Sequence, residues 1–218
     1  MSDIQDSEIG RRRKAAKTDA RASYQVRRQE IVNAAAQVFN RMGLKGASLS
    51  AVATELGVDR ATLYYYFSSK EQLFDEIVGS VLEENERLAR RIAESTISPS
   101  RKLRELIIAF MQSYANNYPL MFIYIREDLA HVSDKRSTWS ENMRSLNRSI
   151  EQSFITIIKQ GFDDGSLRQI GSAPTIAFGI LGMLNWSHRW FRPDRSESAA
   201  EVGKVFAELA MAGLDTPY

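Results

Sequence analysis

The sequence predicts an all-α fold. Apolar residues recur every three or four positions along most of the 218 residues, which is the period of one helix face. The alternation of apolar and polar residues that is typical of strands is absent, as is any internal repeat. Several apolar stripes begin directly after a capping residue, for example at Ser98-Pro99 and at Ser198. These observations favour a chain of consecutive helices without a sheet.

Composition restricts the classes of function. At 24.7 kDa the chain is long enough for one large or two small helical units with a real core. It contains no cysteine, which excludes a disulfide scaffold and thiolate metal sites. Neither an apolar signal core nor a stretch of about 18 apolar residues occurs. We therefore expect a cytoplasmic protein that does not cross a membrane.

The N-terminal end, residues 1–22, is polar and basic. It carries the run Arg11-Arg12-Arg13-Lys14 and almost no large apolar side chain, which predicts a disordered leader. Residues 1–70 hold 12 Lys/Arg against 7 Asp/Glu, so this part of the chain is positive overall. The leader is either a solvated tail or an arm that contacts nucleic-acid phosphates.

A helix is predicted from Tyr24 to Gly43, with its stripe of Ile31, Ala34, Ala35, Val38, Phe39 and Met42 facing a core. A short helix follows from Ser48 or Ser50, and Gly57 can take the left-handed conformation that ends it. Asp59 is a good cap for a further helix over Arg60 to Phe67. Two short helices joined by a tight glycine turn are typical of a helix-turn-helix motif.

The second helix of this pair has an unusual outer face. Leu63 and Phe67 lie four residues apart and anchor it to the core. The opposite face presents Ala61, Thr62 and Tyr65, with Tyr64 and Tyr66 at its flanks. A small residue, a hydroxyl and tyrosines suit a helix lying in the major groove, although tyrosines also pack between helices.

The stretch from Gly43 to Leu73 resembles the DNA-binding domain of TetR-type transcriptional regulators, because Ala53, Gly57-Val58, Leu63-Tyr64, Tyr66-Phe67, Lys70 and Leu73 match that domain. The resemblance implies an all-helical, homodimeric, ligand-responsive repressor that binds a pseudo-palindromic operator in double-stranded DNA. It also implies a set of DNA contacts at Ser48, Ser50, Arg60, Ala61, Thr62, Tyr64, Tyr65, Tyr66 and Lys70. The ammonium of Lys70 and the first amides of its helix are expected to meet one phosphate.

A long helix begins at Ser68 or Ser69 and continues for about 25 residues, which makes it a rigid lever between the two parts of the chain. We place the DNA-binding domain at 23–80 and a ligand-binding and dimerisation domain at 81–218. The helix after Pro174 is apolar on nearly all faces and contains Gly179 and Gly182, which indicate close approach by another helix. With the last helix it predicts a two-fold, four-helix dimer interface, the alternative being an intrachain core.

The middle helices are rich in aromatic and methionine residues, which form either plain core or the wall of a cavity. The candidate ligand-binding residues are Phe110, Tyr114, Phe122, Arg126, Trp139, Met143 and Arg144. Residues 183–193, MLNWSHRWFRP, resemble the corresponding part of TetR-type repressors that respond to acyl-CoA thioesters. That resemblance implies an acyl-CoA or another elongated apolar acid as effector.

No enzymatic function is favoured. His131 and His188 lack metal-ligand spacing, and neither a P-loop nor a nucleophile-elbow pattern occurs. We expect no cofactor and no metal. The alternative to a DNA-binding regulator is a helical small-molecule sensor or interaction module without DNA binding.

Overall fold

The computed structural model describes residues 3–128, 137–195 and 197–215, with side chains described for 22–125, 141–195 and 197–215. The described chain is helical throughout, apart from turns and one isolated β-bridge. It forms two compact units, Met1–Ile77 and Val78–Tyr218.

The N-terminal unit contains α1 (Asp3–Gly46), α2 (Leu49–Leu56), α3 (Arg60–Tyr66) and the first residues of α4 (Lys70–Glu94). Gly43 interrupts α1 with a left-handed backbone (φ 68°), as its position after the apolar stripe predicts. Fully buried Phe39, Leu63, Phe67 and Leu73 are among the side chains that form the core of this unit. Met42 departs from the predicted stripe, because its side chain is 47% exposed.

The leader differs from the sequence expectation, because α1 already begins at Asp3 and its backbone continues through residues 3–22. Low apolar content predicted disorder there. The same residues, however, include many Arg, Lys and Ala, which have high helix propensity, and no proline. A helix can continue through such residues where it extends a helix that is already present, since propagation costs less than nucleation.

The C-terminal unit contains the rest of α4 and five further helices. These are α5 (Pro99–Asn116), α6 (Leu120–Asp128), α7 (Ser137–Asp163), α8 (Ala173–Trp186) and α9 (Ala199–Leu214), with a 3₁₀ turn at Ser187–Arg189. The predicted capping box of α9 is present, since Ser198 and Glu201 exchange hydrogen bonds. The expectation that α6 is buried on all sides agrees with five buried residues among Leu120–Ile125.

Helices α5 and α9 pack closely against each other. A Cβ atom added to Gly203 would lie 3.0 Å from Ile108 Cα, so the two backbones approach as closely as glycine allows. Arg104 on α5 adds ion pairs to Glu208 and Asp215. Within the described residues, no helix combines the length and the apolar character that a membrane crossing requires.

Candidate nucleic-acid interface and ligand-binding region

The helix-turn-helix is built by local caps. Ser48 Oγ accepts a hydrogen bond from the Ala51 amide at 3.1 Å, which starts α2. Gly57 ends α2 in the left-handed region (φ 66°), and its amide and that of Val58 return to carbonyls of the last turn. Ser48 and Ser50 are both exposed at the head of α2. The Ser48 hydroxyl accepts in the cap and retains its own hydrogen for donation.

Asp59 starts α3 by accepting from the Thr62 amide at 2.7 Å and from the Thr62 hydroxyl at 3.1 Å. These hydrogen bonds lower the pKa of the Asp59 carboxyl. Because its hydrogen is given to Asp59, the Thr62 hydroxyl is not available to donate to a phosphate in this conformation. Thr62 is half-buried, whereas Ala61 beside it is exposed.

The tyrosines of α3 divide between surface and interior. Tyr65 is 73% exposed and Tyr64 is 46% exposed, while Tyr66 is half-buried. Tyr24 of α1 lies in ring contact with Tyr66 (centroids 4.9 Å apart) and with Tyr65 (6.1 Å). Tyr66 therefore holds α3 against α1, and Tyr65 stands out on the side that carries Ala61.

The side chain of Arg60 contacts Tyr64, which lies one turn later on the same helix. One of its guanidinium nitrogens donates to the Tyr64 hydroxyl at 2.7 Å, and the guanidinium lies 5.1 Å from the centre of the Tyr64 ring. Both side chains remain at the surface. The pair presents a positive charge that is already oriented beside the exposed face of α3.

Lys70 is placed differently from the sequence expectation. Its ammonium donates to the backbone carbonyls of Leu44 at 2.9 Å, Ala47 at 3.1 Å and Lys45 at 3.4 Å. An ammonium has three donors, so these carbonyls use all of them. The carbonyls are accessible because the left-handed Gly43 interrupts α1 just before them. In this structure Lys70 ties the start of α4 to the segment before α2 and does not point a free charge outwards.

The predicted ligand-binding residues differ in where the structure places them. Phe110, Tyr114 and Phe122 are buried and form a chain of edge-to-face ring contacts with centroids 6.2–6.3 Å apart. Met143 is buried and lies beside Gly79 of α4. Arg144 is exposed. The side chains of Arg126 and Trp139 lie outside the described residues.

This region also holds buried polar groups. Burial raises the pKa of the Tyr114 hydroxyl, which stays protonated and donates to Asn185 Oδ1 at 2.7 Å. Asn147 Nδ2 donates to the Tyr124 hydroxyl at 2.9 Å. Among the described residues, no cluster of metal-ligating side chains occurs.

The sequence analysis missed one residue of this region. Asn85 lies on α4 within its apolar stripe and is only 3% exposed. The signal was present, because residue 85 stands one turn after the buried Val81 and Leu82 and one turn before the buried Ala89. A polar residue within an apolar stripe is a candidate for ligand binding, because a buried polar group needs a hydrogen-bond partner.

Two family descriptions match this architecture. Residues 31–77 match "Bacterial regulatory proteins, tetR family", and residues 96–214, more than half of the chain, match "Tetracyclin repressor-like, C-terminal domain". The chain belongs to the TetR family. The predictions of an all-α fold and of a TetR-type transcriptional regulator are confirmed.

Individual TetR-family proteins resemble the chain over most of its length. The HTH-type transcriptional repressor KstR2 of Rhodococcus jostii is 27% identical over 193 residues, which cover 88% of this chain and 93% of KstR2. The crystal structure of the TetR-family regulator PfmR from Thermus thermophilus is 28% identical, with a TM-score of 0.73 over 85% of this chain and 99% of PfmR. AibR, crystallised with isovaleryl coenzyme A and operator DNA, shares the fold at 19% identity, with a TM-score of 0.65 over 84% of this chain and 97% of AibR.

Proposed function

We propose that this TetR-family regulator is a homodimeric repressor that binds a pseudo-palindromic DNA operator through α3 and is released from it by an acyl-CoA thioester. The observation that carries the proposal is the outer face of α3, where Tyr65 is 73% exposed beside the exposed Ala61. A small residue permits close approach to the groove floor, and an aromatic hydroxyl can contact phosphates or base edges.

The exposure of each predicted DNA-binding residue decides whether we propose a direct contact with DNA or a role in holding α3. Ser48, Ser50, Ala61, Tyr64 and Tyr65 are exposed, so they can touch DNA without rearrangement. Arg60 is exposed too and can reach a phosphate or a guanine edge once DNA competes with the Tyr64 hydroxyl. Thr62 and Tyr66 contribute mainly by holding α3 in place, and Lys70 contributes through the first backbone amide of α4.

The proposed dimer interface is the outer surface of α8 and α9. On α8, Phe178 and Trp186 are 51% and 58% exposed, and on α9, Val205 and Leu209 are 54% and 63% exposed. The face of α8 that carries these aromatic residues also carries Gly179 and Gly182, where an added Cβ atom meets nothing within 4 Å. Large apolar side chains beside small residues suit a second helix packed closely against them, which a two-fold partner supplies.

Gel shifts with DNA fragments from upstream of the gene test the DNA-binding part. We expect a shifted complex whose affinity falls steeply with salt, by a slope of about −0.9 for each phosphate neutralised. Tyr65→Ala should abolish the shift. Because it also removes the ring contacts with Tyr24 and Tyr66, Tyr65→Phe, which keeps the ring, tests the contribution of the hydroxyl alone. A complex that is insensitive to salt, or to Tyr65→Ala, would contradict the proposed DNA-binding face.

Native mass spectrometry tests the assembly and shows co-purified ligand in the same spectrum. We expect a dimer that Leu209→Asp converts to monomer, since a carboxylate cannot be buried unpaired in the interface. Val26→Asp is the matched control, because Val26 is 61% exposed but lies on α1. A dimer that survives Leu209→Asp would reject this interface.

The effector is tested on the DNA complex. Isovaleryl-CoA and stearoyl-CoA, a short and a long thioester, should release the protein from its operator, with free coenzyme A as the control. The proposed mechanism is a population shift, in which ligand in the C-terminal unit moves α4 and changes the spacing of the two α3 helices from about 34–36 Å, one turn of DNA. A complex that persists at saturating thioester would reject this effector class.

A further inference from the structure

A buried asparagine interrupts the apolar face of α4. Asn85 is 3% exposed and lies on the same stripe as the buried Val78, Leu82 and Ala89. Burial of an amide is unfavourable unless its hydrogen-bonding groups are paired. The partners of Asn85 therefore decide whether it is a structural residue or a group that awaits a ligand.

Only one end of the Asn85 amide is paired. Its Oδ1 accepts from the Ser113 hydroxyl of α5 at 2.6 Å. Its Nδ2 is inaccessible to solvent and has no hydrogen-bond partner in the described part of the chain, although it can donate twice. An unpaired buried donor raises the free energy of the ligand-free form, and any group that supplies an acceptor recovers that difference.

The amide lies where α4 meets two other helices of the C-terminal unit. Ser113 belongs to α5, between the predicted ligand-binding residues Phe110 and Tyr114. One residue further along α4, Glu86 accepts from the Ser149 hydroxyl of α7 at 2.9 Å. Six residues before Asn85, an added Cβ on Gly79 would lie 3.6 Å from Met143 Cε of α7. Asn85 therefore lies where α4 packs against α5 and α7, the helices that carry the predicted ligand-binding residues Phe110, Tyr114 and Met143.

The surroundings specify the acceptor that would fit. The hydrogen-bond partner of Asn85 is the neutral Ser113 hydroxyl, and the residues one turn before and after it on α4, Leu82 and Ala89, are apolar and buried. Its two neighbours along α4, Glu84 and Glu86, are both negative. An ionised carboxylate would require a cation or several donors at the same point, whereas a carbonyl oxygen requires a single N–H group.

We propose that Asn85 Nδ2 donates a hydrogen bond to the thioester carbonyl oxygen of the effector and is a specificity-determining residue of the ligand site. The inference rests on the proposed function, in which the effector is an acyl-CoA thioester. It goes further by naming the atom of the effector that is recognised and the donor on α4 that recognises it.

Matched ligand pairs test this role. Each pair consists of an acyl-CoA and the S-alkyl-CoA thioether of equal chain length, which differ only in the carbonyl oxygen; isovaleryl and stearoyl chains cover the short and long cases. Calorimetric titration should show that wild-type protein binds the thioester about tenfold more tightly than its thioether. Asn85→Leu, which has a similar volume, should bind both members of the pair equally well.

The controls separate recognition from folding. Asn116→Leu changes an exposed asparagine at the end of α5 and should keep the tenfold preference. Ligand-free Asn85→Leu should unfold at the same or a higher temperature than wild type, because the unpaired donor is gone and Ser113 can turn to the carbonyl one helical turn earlier. Asn85→Ala provides a second variant if leucine does not fit.

The outcomes distinguish the two proposals. Binding of the thioester and thioether with equal affinity by wild type, or a preference that survives in Asn85→Leu, would overturn the role of Asn85 alone. Binding of neither pair by wild type, seen before any variant is made, would reject the acyl-CoA effector together with this role. A preference for the thioester that survives in both Asn85→Leu and Asn85→Ala would overturn the role of Asn85 even if the leucine variant is less stable.

Discussion

Lys70→Met removes the three hydrogen bonds by which the ammonium holds the segment before α2. The carbonyls of Leu44 and Ala47 accept at 2.9 and 3.1 Å in partly buried positions, and that of Lys45 accepts at 3.4 Å at the surface. A hydrogen bond to a charged group contributes about 1.5–3 kcal/mol, and a long, exposed one contributes much less. After the lost side-chain entropy of lysine is subtracted, we expect about 2–4 kcal/mol less stability for local opening of this segment.

Hydrogen-exchange mass spectrometry of residues 44–74 measures that opening directly. A difference of about 2–4 kcal/mol corresponds to 30- to 1000-fold faster exchange of the protected amides of α2 and α3. Methionine keeps the apolar stem of the side chain, so packing is largely retained. Lys45→Met is the matched control, because the Lys45 side chain is exposed in the same segment and its carbonyl remains.

Salt dependence of DNA binding distinguishes this tether from a phosphate contact. If Lys70 acts by holding α4 to the segment before α2, Lys70→Met weakens DNA binding with the salt slope unchanged. If its ammonium instead neutralises a phosphate, the salt slope of the variant becomes shallower by about 0.9. A shallower slope together with unchanged hydrogen exchange would refute the structural role and restore the expectation drawn from the sequence.

Three further substitutions have defined outcomes. Hydrogen bonds from Thr62 lower the pKa of the Asp59 carboxyl. The carboxylate therefore stabilises α3 at neutral pH, and this stabilisation is lost as the pH falls through 3.8 and below. Asp59→Ala should remove this part of the acid-induced unfolding transition, as followed by circular dichroism. Gly203→Ala should cost about 1–3 kcal/mol in urea unfolding, because its Cβ would lie 3.0 Å from Ile108 Cα. Arg104→Met should cost less, about 1 kcal/mol or below, since its carboxylate partners are solvent-exposed.

Short-range features explain how much of the helix-turn-helix was predictable. The bounds of α2 and α3 follow from Ser48, Gly57 and Asp59, whose caps act within three or four residues of the chain. The core anchors Leu63 and Phe67 follow from their spacing, and both are buried. The outer face of α3 follows from the same geometry, which leaves Tyr65 exposed.

Long-range interactions explain what was missed. The acceptors of Lys70 lie 23 to 26 residues earlier in the chain and become available only because Gly43 interrupts α1. No local pattern signals such a pairing. The unpaired Nδ2 of Asn85 is equally invisible in the sequence, which shows a polar residue in an apolar stripe but not which of its atoms finds a partner.

Helix α4 carries both of these residues, Lys70 in its first turn and Asn85 15 positions later. Under the proposed function, movement of α4 at Asn85 is passed along the helix to Lys70, and the three hydrogen bonds of Lys70 pass it to the segment before α2. We therefore expect stearoyl-CoA or isovaleryl-CoA to change the hydrogen exchange of residues 44–56 in wild-type protein. In Lys70→Met the thioester should still bind in calorimetry, but exchange of this segment should no longer respond to it. A response of equal size in both proteins would mean that the signal reaches α2 and α3 without Lys70, and the tether would then serve stability alone.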